Sequence, residues 1–349
     1  MSLPPSEIPQ GAIRFNTDSQ KLEFYAQGEW WNMVTDTPNL GVGADTTAGA
    51  RGIAIGGDAT STPADTTIDY ITITSTGNAV SFGTLGTASY NGTAVSSSTR
   101  GVCMGGRSDP SSTKTMQYIT ISSTGNSTTF GDLIDLYYGS AGISNSTRGI
   151  AVGGAPQFGS PVYINDIEYI TISSTGNAQD FGTSSISATY RGGCSSPTRG
   201  ISFGGGVYPG TEQNIIEFIT ISTLGNAQDF GDLTTAYWRL GACSNAVRGV
   251  VAAGESPAGD NLNNIEYITI ATTGNSVDFG DTTQSGQHTS GASSPTRGVF
   301  LGRQGGSPYP NLNVIDYVTI MTQGNAVDFG DLTVPRQGVN ACSNAHGGL

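Results

Sequence analysis

The chain has only two histidines, His288 and His346, among its 349 residues. A transition-metal centre needs several nitrogen or sulfur ligands converging on one point. His346 has Cys342 four residues before it, but no second ligand pair follows, so neither a metal site nor a cofactor is expected. Serine is abundant, yet no nucleophile motif surrounds either histidine. Carboxylates are more numerous. Asp132, Asp232, Asp281 and Asp331 each follow a Phe-Gly pair, and Glu168, Glu217 and Glu266 recur in another shared context. A catalytic pair needs unique positions, so such repetition argues for structural use; an acid pair for glycoside hydrolysis remains open. Arg51, Arg100, Arg148, Arg199, Arg248 and Arg297 recur as well. They could form a cationic ring gripping an anion, or bond local carbonyls and carboxylates.

These arginines mark a repeat with gaps of 49, 48, 51, 49 and 49 residues. Phe82, Phe130, Phe181, Phe230, Phe279 and Phe329 keep step with them. Each unit reads as four short strands; in the fifth copy these are residues 240–244, 248–253, 265–270 and 276–279. A period near fifty made of strands predicts a propeller of four-stranded blades. Gly-Asn pairs such as Gly77-Asn78 and Gly274-Asn275 stand between strands three and four, where hairpin turns require positive φ. Residues 338–345 are one further copy of strand one, which predicts that the C-terminal strand completes the first blade and leaves no open edge.

Composition agrees. The 51 glycines and 12% charged residues suit many strands and tight turns. The net charge of −13, with no Lys/Arg cluster, makes nucleic acid an improbable partner. No apolar run approaches the roughly twenty residues of a membrane helix, and residues 1–5 do not resemble a signal peptide. Cys194, Cys243 and Cys342 occupy the place held by Val95, Ile143 and Ala292 in other copies. Together with Cys103 they are expected as buried free thiols, which fits synthesis in the cytoplasm.

The repeat length, the Gly-Gly after strand two and the aromatic of strand three (Tyr70, Tyr118, Tyr169, Phe218, Tyr267, Tyr317) resemble the kelch family of propellers. The kelch Trp is missing, and Gly-Gly becomes Gly254-Glu255 and Gly302-Arg303 in the last two copies. The expected fold is all-β: a six-bladed kelch-like β-propeller closed by the C-terminal strand, preceded by a small N-terminal β-meander. Residues 1–38 form the meander, 39–48 a linker and 49–349 the propeller.

The meander is too small to hold itself together, so Phe15, Phe24, Trp30 and Trp31 are its candidate docking residues. Its run Gly-Ala-Ile-Arg-Phe-Asn-Thr-Asp, continuing to Lys-Leu-Glu-Phe-Tyr and Glu-Trp, resembles a module of tailed-phage tail fibres and other virion proteins. The repeat Ile-Glu-Tyr-Ile-Thr-Ile-Ser-Ser-Thr-Gly-Asn-Ala-Gln-Asp-Phe-Gly and the ending Ala-Cys-Ser-Asn-Ala-His-Gly-Gly-Leu are similar to propellers in marine-phage structural proteins, notably those of cyanophages.

That resemblance implies a virion component on the tail or capsid exterior, assembled in the host cytoplasm. Its partners would be other virion proteins, a host-surface glycan or receptor, and further copies of itself in a homo-oligomer. Loops that vary between copies carry aromatics suited to recognition. Tyr137, Tyr138, Tyr190, Tyr208, Tyr237, Trp238 and Tyr309 are the candidate binding residues, unless they simply cap the blades. A non-enzymatic tail-fibre or receptor-binding protein is the leading expectation. A capsid decoration protein without receptor role is the alternative, and a glycan-active enzyme is third.

Overall fold

The structure is a computed structural model that describes residues 8–9, 11–16, 21–32, 50–59, 64–108, 111–157, 162–207 and 211–349. The expected linker at 39–48, Tyr208 and the Trp31 side chain lie outside the described residues. The chain divides into two units, Met1–Val42 and Gly43–Leu349.

The first unit contains a three-stranded antiparallel sheet of Ile13–Asn16, Lys21–Ala26 and Glu29–Asn32. Alternation along these strands separates two faces. On one, Arg14 pairs with Glu23 at 2.8 Å and lies over the Trp30 ring at 4.2 Å, while Tyr25 meets Trp30 edge-on. On the other, Ile13 stands opposite Phe24, with Phe15 two residues further along the strand.

The second unit is all-β, with no helix among the described residues. Its described residues form six four-stranded antiparallel sheets and two small two-stranded ones, an arrangement consistent with a propeller-like fold. The fifth consists of Gly241–Ser244, Arg248–Glu255, Asn261–Thr269 and Val277–Asp281. In the first, the strand Asn340–Ser343 pairs with Arg51–Ile55, Asn340 facing Ile55 and Ser343 facing Gly52. Two-sided burial explains the apolar third strands: Ile265 and Ile268 point to opposite faces, yet both are buried. Core clusters accordingly mix neighbouring sheets, with Cys194, Ile201 and Phe203 packing on Leu240, Val251 and Ile268. The repeated Phe meets the aromatic of its own third strand edge-on, as in Tyr267–Phe279 at 6.0 Å and Phe218–Phe230 at 6.2 Å.

The Gly-Asn pairs act differently from a tight two-residue turn. Their asparagines do not adopt positive φ. Instead, each asparagine Oδ1 accepts a hydrogen bond from the fourth strand of the preceding sheet. Asn126 accepts from Thr84 N–H at 3.0 Å and Asn275 from Asp232 N–H at 3.0 Å; Asn78 of the first sheet accepts from Asp331 of the sixth at 3.1 Å. The approach is close enough that a Cβ on Gly83 would sit 2.1 Å from the Gly125 carbonyl oxygen, which accounts for the glycine after Phe82.

The repeated arginines make a second set of links. Arg51 Nη1 donates to the Ile121 carbonyl at 2.9 Å, and the pattern continues through Arg248 to Ile320 at 3.0 Å and Arg297 to Ile73 at 3.2 Å. Each also lies over the aromatic ring of its own third strand, 4.1–4.8 Å from the centroid. The arginines are thus committed to neighbouring sheets, not to a shared anion.

Candidate functional site at the central cavity

The first strands of the six sheets surround a cavity with about 590 Å³ of empty space, including its open mouth. At that mouth the residues leading into the first strands, Asn91, Gly139, Tyr190, Arg239, His288 and Gly338, hold left-handed φ between 51° and 71°. A ring of backbone hydrogen bonds joins them. Asn91 N–H donates to Gly338 O, Gly139 to Asn91, Arg239 to Tyr190, His288 to Arg239 and Gly338 to His288, while Arg191 N–H donates to Gly139 O. The first-strand geometry demands this conformation, which glycine accepts without steric cost and other residues do not.

The four side chains in the ring touch one another or their neighbours. His288 Nδ1 lies 3.0 Å from Asn91 Oδ1, and Tyr190 meets the His288 ring edge-on at 5.1 Å. Gly338 makes room for that pair, because a Cβ there would stand 2.2 Å from Asn91 Oδ1. The Arg239 guanidinium lies over Trp238 at 4.3 Å and Tyr190 at 5.2 Å, and pairs with Glu255 at 2.5 Å and Gln287 Oε1 at 2.6 Å. Burial, helped by the cations of Arg239 and Arg107, holds the His288 pKa well below the usual imidazole value. Neutral His288 with Nδ1–H directed to Asn91 leaves Nε2 as an acceptor. Burial likewise pushes the Tyr190 phenol up to about 12.

The opposite end of the cavity is built from serines. Ser195 Oγ donates to Ser144 O, Ser244 Oγ to Ser195 O, Ser293 Oγ to Ser244 O, Ser343 Oγ to Ser293 O and Ser96 Oγ to Ser343 O, all at 2.6–2.8 Å. Ser96 N–H donates to Ser144 Oγ at 3.2 Å. Across this ring lies the segment from His346 onward. His346 Nε2 donates to Ser96 O at 2.9 Å, its Nδ1 accepts from Gly348 N–H at 3.1 Å, and Gly347 N–H donates to Ser244 O at 2.9 Å. Neither glycine has room for a side chain: a Cβ on Gly348 would lie 1.9 Å from Ser144 O. Burial brings the His346 pKa down to about 4.

Five expected binding aromatics occupy interior positions, which corrects their expected exposure. Tyr137 and Tyr237 are buried with their hydroxyls beside Glu168 and Glu266 of the next sheet. Tyr138, Tyr190 and Trp238 pack together over Ala155, with edge-on contacts of 5.5 Å and 5.4 Å. The loops entering the first strands turn inward between sheets, so their aromatics pack instead of projecting. Tyr309 is 55% exposed. Of the expected docking residues, Phe15 is 59% and Phe24 37% exposed, and Trp30 is half-buried against Arg14 and Tyr25.

The third-strand acids serve the sheet-to-sheet joints. Glu217 pairs with Arg191 at 2.6 Å, Asp316 with Arg303 at 2.6 Å and Asp69 with Arg336 at 2.5 Å, all buried. The same carboxylates, with Glu168, Glu266 and Gln117, also receive a backbone N–H from the preceding sheet, at Ser185, Thr283, Thr333, Ile134, Thr234 and Thr87. Glu168 has no guanidinium beside it, and burial raises its pKa. Among the described residues no group of three or more His, Cys, Asp or Glu could hold a metal ion. The four cysteines are free and buried, and burial pushes Cys103, Cys194 and Cys342 up to about 12.

Asn91 and Arg239 stand out in the sequence by neither type nor repeat, and His288 stands out there only as one of two histidines. Their shared offset before the first strand was the available signal, hidden because each copy fills it with a different residue. No family model matches the chain, and no curated protein matches it either.

Proposed function

We propose that this chain is a non-enzymatic structural protein of a tailed-phage virion, in which the small N-terminal sheet docks to the particle. The second unit would be a six-bladed propeller closed by the C-terminal strand, with one face available to a host surface or another subunit. The two-faced first unit carries this reading. One face is occupied by its own Arg14–Glu23 pair and Tyr25–Trp30 contact, while Ile13, at 62% exposure, and Phe15, at 59%, present apolar surface on the other. Apolar side chains held out on so small a sheet favour a protein partner.

The closed six-bladed reading is supported by links that run from each sheet to the next and return from the sixth to the first. Arg297 to Ile73, Asn78 to Asp331 and Ser343 to Ser293 all cross that last joint. Pairing of Asn340–Ser343 with Arg51–Ile55 brings the two ends of the repeat array together, covering both edges. A rigid ring with varied loops suits display better than catalysis.

Incorporation tests the docking role. Full-length chain carrying Ile13→Asp and Phe15→Asp should be produced at normal levels but be missing from purified particles. Incorporation equal to the unaltered chain would refute docking through this face.

A further inference from the structure

We propose that one end of the fourth, fifth, sixth and first sheets is a docking surface for a protein segment that presents apolar side chains between lysines or arginines. Assigning that segment to another virion subunit rests on the virion reading above, whereas the surface and its chemistry rest only on the second unit.

In a chain of near-identical repeats, a difference between copies is informative. Antiparallel order puts the turns between strands one and two, and between strands three and four, at the same end of every sheet. At that end six large apolar side chains, Leu224, Val247, Val277, Met321, Val327 and Val80, are each 50–54% exposed. Leu224 belongs to the fourth sheet, Val247 and Val277 to the fifth, Met321 and Val327 to the sixth, and Val80 to the first. Arg199 to Ile270, Arg248 to Ile320 and Arg297 to Ile73 join these four sheets in that order. The second and third sheets have polar residues instead: Thr128 and Gln179 stand where Val277 does, and Ser122 and Ser173 where Met321 does.

The exposed side chains meet at the joints. Arg248 stacks on Tyr267, which stands opposite Val277, and bonds to the carbonyl of Ile320, the residue before Met321. Gln323 Nε2 reaches across the same joint to the Asp278 carbonyl at 2.7 Å. The fold does not require the valines, because sheets with Thr128 or Gln179 in their place have the same four strands. Exposed apolar side chains confined to one arc, and dispensable to the fold, mark an interaction surface.

Charge fixes the partner. Asp278 and Asp328 follow Val277 and Val327, are exposed, and pair with no cation among the described residues. The repeated arginines of these sheets donate to main-chain carbonyls instead. A second copy of this chain, with its net charge of −13, would set like charges against these carboxylates. Lysine or arginine flanking apolar side chains complements both features of the surface.

The test is fluorescence anisotropy with the purified full chain and labelled, capped peptides. The probes are Lys-Val-Val-Lys-Val-Val-Lys, a version with Ser for every Val, and one with Glu for every Lys. The first should bind saturably and the other two roughly tenfold or more weakly. Val277→Ser combined with Val327→Ser should weaken binding by a similar factor. Asp278→Asn combined with Asp328→Asn should weaken it and reduce its salt dependence. Gln179→Ser, on the third sheet, should leave it unchanged. All five positions are exposed, so melting temperatures should hold. No saturable binding of the Lys/Val peptide would overturn the proposal, as would equal binding of the Ser version or indifference to both double variants. A dimer in sedimentation that Val277→Ser with Val327→Ser turns into monomer would also overturn it, by showing a second copy as the occupant. Each of these results leaves particle docking through Ile13 and Phe15 intact, since incorporation tests that separately.

Discussion

Arg248 and Ile320 belong to neighbouring sheets and are joined by a guanidinium-to-carbonyl hydrogen bond of 3.0 Å, while the same guanidinium rests 4.1 Å from the centre of Tyr267. One side chain thereby ties the second and third strands of its own sheet to the next sheet. A lysine could reach the carbonyl, but it would lose the planar stacking.

Arg248→Met should therefore lower stability by about 2 kcal/mol, through a lost charged hydrogen bond and a lost cation–π contact. Arg248→Lys should recover part of that loss. Urea unfolding midpoints of the three proteins provide the check; a midpoint for Arg248→Met equal to the parent's would refute the linking role.

Acidification should act through His346. Its folded pKa of about 4 lies below the 6.5 of an unconstrained imidazole, so the unfolded chain binds more protons between those values. Stability contributed by neutral His346 is complete above about pH 6.5, falls as pH drops, and levels off below about pH 4. The ceiling is about 3 kcal/mol, and the partial exposure of the ring reduces it. His346→Gln should flatten this part of the curve in urea titrations at pH 7.5, 6 and 4.5. An unchanged slope would mean that burial does not hold the histidine neutral.

Thiol chemistry gives a third check. All four cysteines are buried and free, and burial disfavours their thiolates. The native chain should resist a water-soluble disulfide reagent at pH 8, and the urea-unfolded chain should react at all four positions. Rapid native labelling would contradict the packing between sheets.

Features that repeat were readable in the residues themselves. Tyr267 and Phe279 recur because each sheet must make the same contact, so their period exposes the architecture. The Gly-Asn pairs recur as well, and five of their six glycines hold the positive φ of a turn, but Asn275 also bonds to Asp232 of the preceding sheet, a partner 43 residues away. Local turn chemistry carries no trace of such a bond. Tyr137 and Tyr237 looked like loop aromatics because loop sequence does not tell whether a chain turns outward or inward. The cavity mouth was the least legible feature. Asn91, Tyr190, Arg239 and His288 share a backbone conformation, not a side-chain type, and conformation appears only in three dimensions.

The most direct test of the virion account is immunogold labelling of intact phage particles with an antibody against residues 50–349. The account predicts gold at a defined exterior site: on the tail for a receptor-facing protein, or over the head for a decoration protein. Abundant protein in the lysate with no gold on the particles would contradict it.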